Sequence, residues 1–484
     1  MNSKNKLRGN KLEESKRLMG FVKYNNIDFP FEYDNSSFSI YLYPPTQEIW
    51  DEYYDPFYQV DFLNNNQDQE HKSSINISGI TSSKNIIHLN IRNNLKISNG
   101  FLEFYVNWYA IFQDDFDINN IDGYKTYENE IDLFYPPKTD YKASIKLEDD
   151  KSGFSELSLF AEKKESESCG KYKVNNEVSL SLEVVSCHKY YPYSWTNPLK
   201  SFSCLISTFS NPVGIEIVVK SYQNLLEFLQ YITYRRNIAL NRIYIFSNSK
   251  DNQVTYGSII FNNNYKEEKS NEMKDRVIKY IQLKENTAKI LGAINSKQLC
   301  LGRLVDSIEN LNKYNRSRVF MVISDFEGEY SSTIERDTIQ TDKYKEIKEE
   351  ITNLLSEYNK DKKGAKHKHV KGIIKIIKKL DINLQQKIKS ALIDTESIMR
   401  PFCNYYKEGS YFDIIENISS RISNIRNLIG HGKLDFEMSL INLKDVKIIE
   451  KLIYAIRLKK IGVNDVDIKK AINDLFLCNI AFDD

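Results

Sequence analysis

Short runs in which polar and apolar residues alternate fill the first part of the chain. In the run 74–80, serine and asparagine alternate with isoleucine, and the run 102–112 combines aromatic and aliphatic residues. Period-two alternation is typical of half-buried strands. Further runs of this kind lie at 38–43, 86–91, 143–147 and 178–185. The linkers are rich in Asn, Asp and Ser, so the pattern predicts an antiparallel sandwich or barrel.

The segment 200–250 contains both the period-two spacing of strands and the spacing of apolar residues typical of helices. Residues 214–219 are typical of a strand, Ser221 is a candidate N-cap for a helix over 222–234, and 241–246 returns to strand. Residues 250–275 are polar and rich in turn formers, which places a domain boundary within 265–300. We therefore expect a β-rich N-terminal domain and a mixed α/β subdomain with linker, followed by a helical domain. Their expected ranges are 1–200, 201–290 and 291–484.

Beyond residue 300 the apolar positions recur at helical spacing. Asn464 is a plausible cap for the last of the predicted helices. These helices cover 303–311, 319–330, 343–358, 371–380, 384–398, 411–429, 444–460 and 465–477. The fold class expected from both halves is α+β and multidomain, with a sandwich- or barrel-like N-terminal region before an all-α helical bundle.

The predicted helix over 411–429 carries an apolar stripe centred on Ile418 and Ile425. At about 100° per residue, Arg426 lies roughly 80° from Ile418, on the shoulder of that stripe. Asn427 and His431 are four residues apart and point away from the core, if the helix continues that far. Two nearby glycines favour a helix end there. A second wall for this polar triplet would have to come from a partner chain.

The spacing Arg426-Asn427-x-x-x-His431 resembles the ribonuclease motif of the HEPN superfamily, which comprises all-helical domains. From about residue 300 onward, the chain is similar to the HEPN domain of ApeA-type anti-phage proteins. The N-terminal part resembles, more weakly, the β-rich domain that precedes it in that family. Histidine is suited to proton transfer near neutral pH, and arginine binds phosphate through a forked, permanent charge. Asn427 is placed to orient the histidine or to contact phosphate.

The resemblance implies a metal-independent endoribonuclease that leaves a 2′,3′-cyclic phosphate. It also implies a homodimer in which two motifs form one composite site. The implied role is abortive anti-phage defence by cutting RNA, with tRNA as one candidate target. The N-terminal domain would then recognise a phage-derived trigger. The alternative is a non-catalytic RNA- or nucleotide-binding HEPN module, and the residue pattern alone also fits a helix-end histidine beside a surface arginine.

Other cations are weaker candidates for RNA binding. Arg421, on the same helix as the motif, is either a second phosphate contact or a structural ion-pair partner. The most basic segment, 360–371, is either a grip on the RNA backbone or a solvated loop. Its candidate RNA-binding residues are Lys363, Lys366, His367, Lys368 and His369. We expect no metal site there, because no acid or cysteine lies close in sequence to the two histidines.

Composition narrows the class of protein. The net charge of +1 gives no global attraction to nucleic acid, so RNA binding would need local patches. The six cysteines are scattered, as expected of reduced thiols. The first residues lack a signal-peptide core, and no stretch approaches the roughly 18 apolar residues of a membrane span. We expect a cytoplasmic protein without a cofactor, since no nucleotide-binding fingerprint is present.

Overall fold

The computed structural model describes most of the chain. Strands predominate up to residue 261 and helices from residue 280 onward, which confirms the β-rich N-terminal region followed by a helical region. The described residues are 17–54, 74–93, 95–98, 100–113, 116–137, 141–147, 154–161, 166–190, 199–249, 252–268, 276–334, 342–379, 383–406, 409–432 and 438–482.

Fifteen strands are described, and each predicted strand except 214–219 is among them. Alternating burial along these strands follows the alternation in the sequence. The strands are β1 Arg17–Tyr24, β2 Ile27–Asp34, β3 Ser39–Leu42, β4 Ser74–Thr81, β5 Ile86–Arg92, β6 Lys96–Ser98, β7 Phe101–Phe112, β8 Ile121–Thr126, β9 Tyr141–Leu147, β10 Phe154–Ala161, β11 Glu167–Lys173, β12 Ser179–Tyr190, β13 Leu199–Val213, β14 Arg242–Ser249 and β15 Asn252–Phe261.

Six of these strands close into a barrel in the order β7-β3-β2-β1-β4-β5, because β7 pairs with both β3 and β5. Its interior is a separate hydrophobic cluster filled by aromatic and aliphatic side chains, including Phe29, Tyr33 and Phe104. A short helix, α1 (Gln47–Tyr54), adds the buried Tyr53 to that cluster. The Nδ2 of Asn25 donates to the hydroxyl of Tyr53 at 3.0 Å.

Strand β7 continues from the barrel into an open antiparallel sheet in the order β7-β15-β14-β8-β13-β12-β11. The β9–β10 hairpin forms a separate two-stranded sheet. Helices α2 (Asn129–Phe134) and α3 (Ile215–Thr233) contribute buried residues to the same hydrophobic cluster as the open sheet. Strand β7 therefore belongs to both the barrel and the open sheet, which have separate hydrophobic cores.

Four predictions in the middle of the chain are wrong. One is the N-cap at Ser221, which lies buried inside a helix that begins at Ile215 with Gly214 as its N-cap. Residues 214–219 begin helix α3, because burial of Ile215, Val218 and Tyr222 at helical spacing outweighs the β-propensity of a branched run. Strand β15 lies inside the segment interpreted as polar turns. Within the predicted helix 303–311, the structure has a single 3₁₀ turn, Ile308–Asn310.

The helices from residue 316 onward agree more closely with expectation, whereas the sequence analysis predicted no helix over 280–295. The predicted helix 384–398 is divided at Thr395 into two, and the helix predicted from 371 begins seven residues earlier. These helices are α4 Tyr280–Leu283, α5 Asn286–Asn295, α6 Arg316–Thr333, α7 Asp342–Lys360, α8 Gly364–Lys379, α9 Leu384–Asp394, α10 Glu396–Cys403, α11 Tyr411–Gly430, α12 Leu440–Lys460 and α13 Asp465–Phe476. In the described part of the chain, no helix has the length and apolar character needed to cross a membrane.

The open sheet and the helices share one hydrophobic cluster. Helix α12 runs through it, with almost every residue from 445 to 458 buried. Buried hydrogen bonds tie this helix to the end of α3: the hydroxyl of Tyr454 donates to the carbonyl of Tyr231 at 2.7 Å, and that of Tyr234 donates to Glu450 at 2.5 Å. The surface that carries the Arg-Asn-x-x-x-His motif therefore rests on a core to which both halves of the chain contribute.

Candidate functional site

Helix α11 is held rigidly before it reaches the motif. The Oγ of Ser410 accepts the amide of Asp413, and the Asp413 carboxylate accepts from Ser410 in return. This capping box satisfies amides of the first turn. Along the helix, the predicted apolar stripe is buried, with Ile418 and Ile422 fully inaccessible and Ile425 nearly so. The stripe predicted from the sequence is therefore confirmed, and it determines which face of α11 is left for the polar residues.

The motif lies at the exposed carboxyl end of this helix. The side chains of Arg426, Asn427 and His431 are all exposed. The backbone amide of His431 donates to the carbonyl of Asn427 at 3.0 Å, so the helical turn reaches His431, which is the C-cap residue. Gly432 then takes a φ of +67°, a conformation that commonly ends helices. Asn427 and His431 consequently share one face of the last turn.

Arg426 lies along the same turn. A Cβ placed on Gly430 would be 4.0 Å from Nη1 of Arg426, so the guanidinium extends towards the helix end, beside the residue that precedes His431. A glycine at 430 leaves that surface without a side chain. The structure thus places the three motif residues within the last five residues of α11 and at its C-cap, with the guanidinium of Arg426 directed towards the helix end.

These three side chains have no protein partner in the described part of the chain. Within it, no hydrogen bond or salt bridge engages the guanidinium, the amide or the imidazole. Groups that can bind phosphate and transfer protons are therefore left open to solvent. Exposed side chains without a protein partner are accessible to a ligand, whereas buried polar groups have to find partners on folding.

Arg421 is engaged in a different way. Its Nε donates to Oδ2 of Asp445 at 2.6 Å and its Nη2 to Oδ1 at 2.9 Å, while the Asp445 side chain is fully buried. The Tyr406 hydroxyl also donates to Asp445, at 2.6 Å. Hydrogen bonding to this carboxylate raises the pKa of Arg421. Of the two roles considered for Arg421, the structure therefore shows the structural ion pair. The spacing of residues in the sequence did not indicate Asp445 as its partner.

The basic segment forms a helix rather than the solvated loop considered above. Lys363 lies in the turn between α7 and α8, and the other candidates lie in the first two turns of α8. All five of its candidate residues, Lys363, Lys366, His367, Lys368 and His369, are exposed. Helix α8 packs principally against α7, whereas α11 packs against α6, α9, α10 and α12. The structure therefore groups these cations with one another on a separate pair of helices.

Two exposed apolar side chains lie at the start of α12, the helix that follows the motif in the chain. Leu440 is 80% exposed and Ile441 36%, both in the first turn of α12. The ion pair between Arg421 and Asp445 joins α12 to α11 five residues before Arg426. Sequence reasoning missed these two residues, since their apolar character alone predicts burial.

No protein-family model, curated protein or solved structure matches this chain. The functional assignment therefore depends on the motif and on its geometry. Among the described residues, no group of three or more His, Cys, Asp or Glu side chains is arranged to hold a metal ion.

Proposed function

We propose that this protein is a metal-independent endoribonuclease of the HEPN type. The observation that carries the proposal is the clustering of Arg426, Asn427 and His431 on the last turn of α11, exposed and without protein partners in the described part of the chain. Arg421 on the same helix is instead paired with the buried Asp445. The chemistry of these three groups fits a phosphodiester with a neighbouring hydroxyl.

RNA supplies its own nucleophile, so the protein needs only proton transfer and charge stabilisation. His431 accepts the proton of the 2′-hydroxyl as the 2′-oxygen bonds to phosphorus. The bond from phosphorus to the 5′-oxygen then breaks, and that oxygen takes up a proton. Arg426 stabilises the charge on the phosphoryl oxygens, and Asn427 orients the histidine or contacts the phosphate. The products are a 2′,3′-cyclic phosphate and a 5′-hydroxyl.

One motif provides a single imidazole, whereas the reaction needs both a base and an acid. A second copy of the chain with its motif facing the first would supply the other imidazole. The exposed apolar Leu440 and Ile441, on the helix that follows the motif, support contact with a partner. We therefore include a homodimer with a composite site in the proposal.

The biological role follows from the resemblance to ApeA-type proteins. We propose that the helical region cuts RNA, tRNA being one candidate, in cytoplasmic abortive anti-phage defence. The β-rich N-terminal region would recognise a phage-derived trigger. Support for a link between the two regions comes from their shared hydrophobic cluster and from the buried bonds between α3 and α12.

The test is RNA cleavage by the purified full-length protein in EDTA, with the wild type compared with His431→Ala. We expect cutting by the wild type alone, with cyclic phosphate ends. His88→Ala is a matched control, since His88 lies on β5, where it is hydrogen-bonded to Ser78. Cleavage by His431→Ala at the wild-type rate would overturn the assignment.

The experiment also separates the nuclease from the binding module. A non-catalytic module would bind RNA, and neither the wild type nor the variant would cut it. If the purified wild type does not cut RNA, adding lysate from phage-infected cells tests whether a trigger was missing. If RNA stays intact with that lysate as well, the nuclease proposal fails and the binding module takes its place.

A further inference from the structure

Helix α8 concentrates positive charge. It carries six lysines and no acidic residue, whereas the whole chain has a net charge of only +1. Two more lysines, Lys362 and Lys363, lie in the short connection that precedes it. The mechanism proposed for the motif on α11 uses none of these side chains. Such a local charge attracts polyanions, although the protein as a whole does not.

Three of the lysines form one stripe. At about 100° per residue, Lys368, Lys371 and Lys375 lie within about 60° of one another around the helix. All three are exposed, and in the described part of the chain no carboxylate pairs with their ammonium groups. From the first to the last they cover two helical turns, or about 10 Å. We call these three residues the lysine stripe.

The lysine stripe faces away from the neighbouring helix. Helix α8 packs principally against α7, and its apolar residues Val370, Ile374 and Ile377 are half-buried. The centre of the stripe lies about 125° around the helix from the centre of these three residues. The stripe is therefore open to solvent along its length.

The fold does not require this arrangement of charges. Like charges three and four residues apart on a helix repel each other, and Lys368, Lys371 and Lys375 have that spacing. Lys366 lies in the first turn, where a cation opposes the helix macrodipole and where α8 has no acidic residue. The lysines therefore destabilise α8 unless an anion lies beside them.

A glycine beside the stripe leaves the helix backbone accessible. Gly372 lies within α8, about 40° around the helix from Lys368. A Cβ built on this glycine would meet no heavy atom within 4 Å. Glycine lowers helix propensity, and close packing does not explain its presence here. It lets a ligand come nearer to the helix between the lysines.

We infer that the lysine stripe binds the phosphate backbone of nucleic acid, and that the RNA substrate proposed above is its ligand. The choice of RNA rests on the proposed function. A row of ammonium groups neutralises successive phosphates and releases their counterions, which provides affinity without reading the bases. Bound phosphates also offset the repulsion between the lysines. The stripe holds the substrate and takes no part in proton transfer at His431.

A lipid surface suits the stripe less well. Basic helices that lie on membranes carry an apolar face that inserts between the lipids. Among the described residues of α8, the large apolar side chain that is exposed is Ile373, at 46%. It lies about 165° around the helix from the centre of the stripe, so one flat bilayer cannot contact both. The stripe itself also lacks the aromatic and apolar anchors typical of a protein interface.

The first test measures binding of a single-stranded 2′-O-methyl RNA to the full-length protein by fluorescence anisotropy over a range of salt concentrations. This probe has no free 2′-hydroxyl, so it is bound without being cut. The triple variant Lys368→Gln, Lys371→Gln and Lys375→Gln should reduce the slope of log K against log salt by about 2, since each phosphate contact on a single strand contributes about 0.7. At about 0.1 M salt, that slope corresponds to roughly 10²-fold weaker binding.

The control variant removes the same charge elsewhere. Lys171, Lys173 and Lys220 are exposed lysines of the β-rich region, and replacing all three by glutamine should keep the wild-type slope. Thermal unfolding followed by circular dichroism tests the fold. We expect the stripe variant to unfold at the wild-type temperature or above it, because the repulsion between the lysines is relieved. A structural role for the lysines would lower that temperature.

Cleavage assays separate this inference from the proposed nuclease activity. If the protein cuts RNA, the stripe variant should raise KM by about tenfold or more and leave kcat unchanged, because the stripe binds substrate away from the reacting phosphate. Binding of the methylated probe through the stripe without any cutting of RNA would retain the inference and reject the nuclease. Cutting with an unchanged KM in the stripe variant would do the reverse.

Three outcomes would overturn the inference. One is a stripe variant that binds the probe with the affinity and salt slope of the wild type. Another is an equal loss of binding in the control variant, which would assign the effect to net charge. The third is a wild-type protein that leaves the methylated RNA unbound, including one that uses these lysines to bind vesicles rich in phosphatidylserine or a DNA strand instead.

Discussion

Two arginines on helix α11 differ in what surrounds them. Arg421 makes two hydrogen bonds with the fully buried Asp445, whereas Arg426, five residues later, is exposed and has no partner in the described part of the chain. The first cation is part of the fold, because a buried carboxylate depends on it. The fold does not depend on the charge of Arg426, because that side chain is exposed and makes no ion pair in the described part of the chain. An arginine that the fold does not use, set beside an amide and an imidazole, is available for function.

The same contrast separates the motif from the centre of the helical region. There, Arg457 on α12 is 3% exposed and donates to Glu329 on α6 at 2.7 Å and to Ser332 at 2.8 Å. Glu329 is fully buried and also accepts the amide of Cys300 at 2.8 Å. Each of these polar groups is hydrogen-bonded to another group of the network. We expect substitutions here to change stability, and substitutions at the motif to change activity.

The largest expected effect on stability comes from Arg457→Ala. It leaves the buried carboxylate of Glu329 without its cation, which should lower the free energy of unfolding by about 3–5 kcal/mol. Urea denaturation followed by circular dichroism measures the change. Replacing both residues by apolar side chains, as in Arg457→Met with Glu329→Leu, should recover part of the loss. A single variant as stable as the wild type would contradict this account of the network.

Arg426→Ala should show the opposite profile. Losing one stabilising donor to the phosphoryl group should slow RNA cleavage by about 10²–10³-fold. The free energy of unfolding should stay within about 0.5 kcal/mol of the wild type, because the side chain is exposed and unpaired. Arg400→Ala, which removes a 56% exposed arginine paired with Glu396, is the control for charge loss on a neighbouring helix. Equal cleavage by wild type and Arg426→Ala would remove Arg426 from the proposed site.

Arg421→Ala tests the contrast between Arg421 and Arg426 within one helix. Because the arginine is about one-third exposed, we expect a loss of about 2–3 kcal/mol in unfolding free energy, less than for Arg457. Cleavage per folded molecule should be retained. Single-turnover assays well below the unfolding midpoint make that measurement. A loss of cleavage in the fully folded variant would instead make Arg421 a phosphate contact.

The smallest effect should come from the other end of α11. Ser410→Ala removes the N-cap and should cost about 1 kcal/mol. Hydrogen bonds from Ser410 hold the pKa of Asp413 below its usual value of 3.8. A depressed carboxyl pKa stabilises the fold above the unfolded-state value, and that contribution is lost as pH falls through the folded-state value. The stability difference between wild type and variant should therefore shrink below pH 3.8, which acid titration of the unfolding midpoint can test.

Local sequence patterns predicted much of the secondary structure and the residues of the candidate site. The apolar stripe of helix 411–429, the short strands of the N-terminal region and the spacing of Arg426, Asn427 and His431 are all local features. Helical and strand periods are set by backbone geometry and appear directly in the order of residues. The order of residues predicts the burial of Ile418 and Ile425 and the exposure of the polar triplet, and the structure agrees.

Tertiary structure decided the rest. The run 215–219 is strand-like by composition, yet it folds as a helix because the open sheet buries Ile215 and Val218 at helical spacing. The partner of Arg421 lies 24 residues away on another helix, and the barrel closes because β7 pairs with both β3 and β5. Ile347, Ile351 and Leu354 on α7 are also apolar residues at helical spacing, yet they are exposed. Contacts between distant segments determine which apolar faces are buried and which cations are paired, and a local pattern carries no record of them.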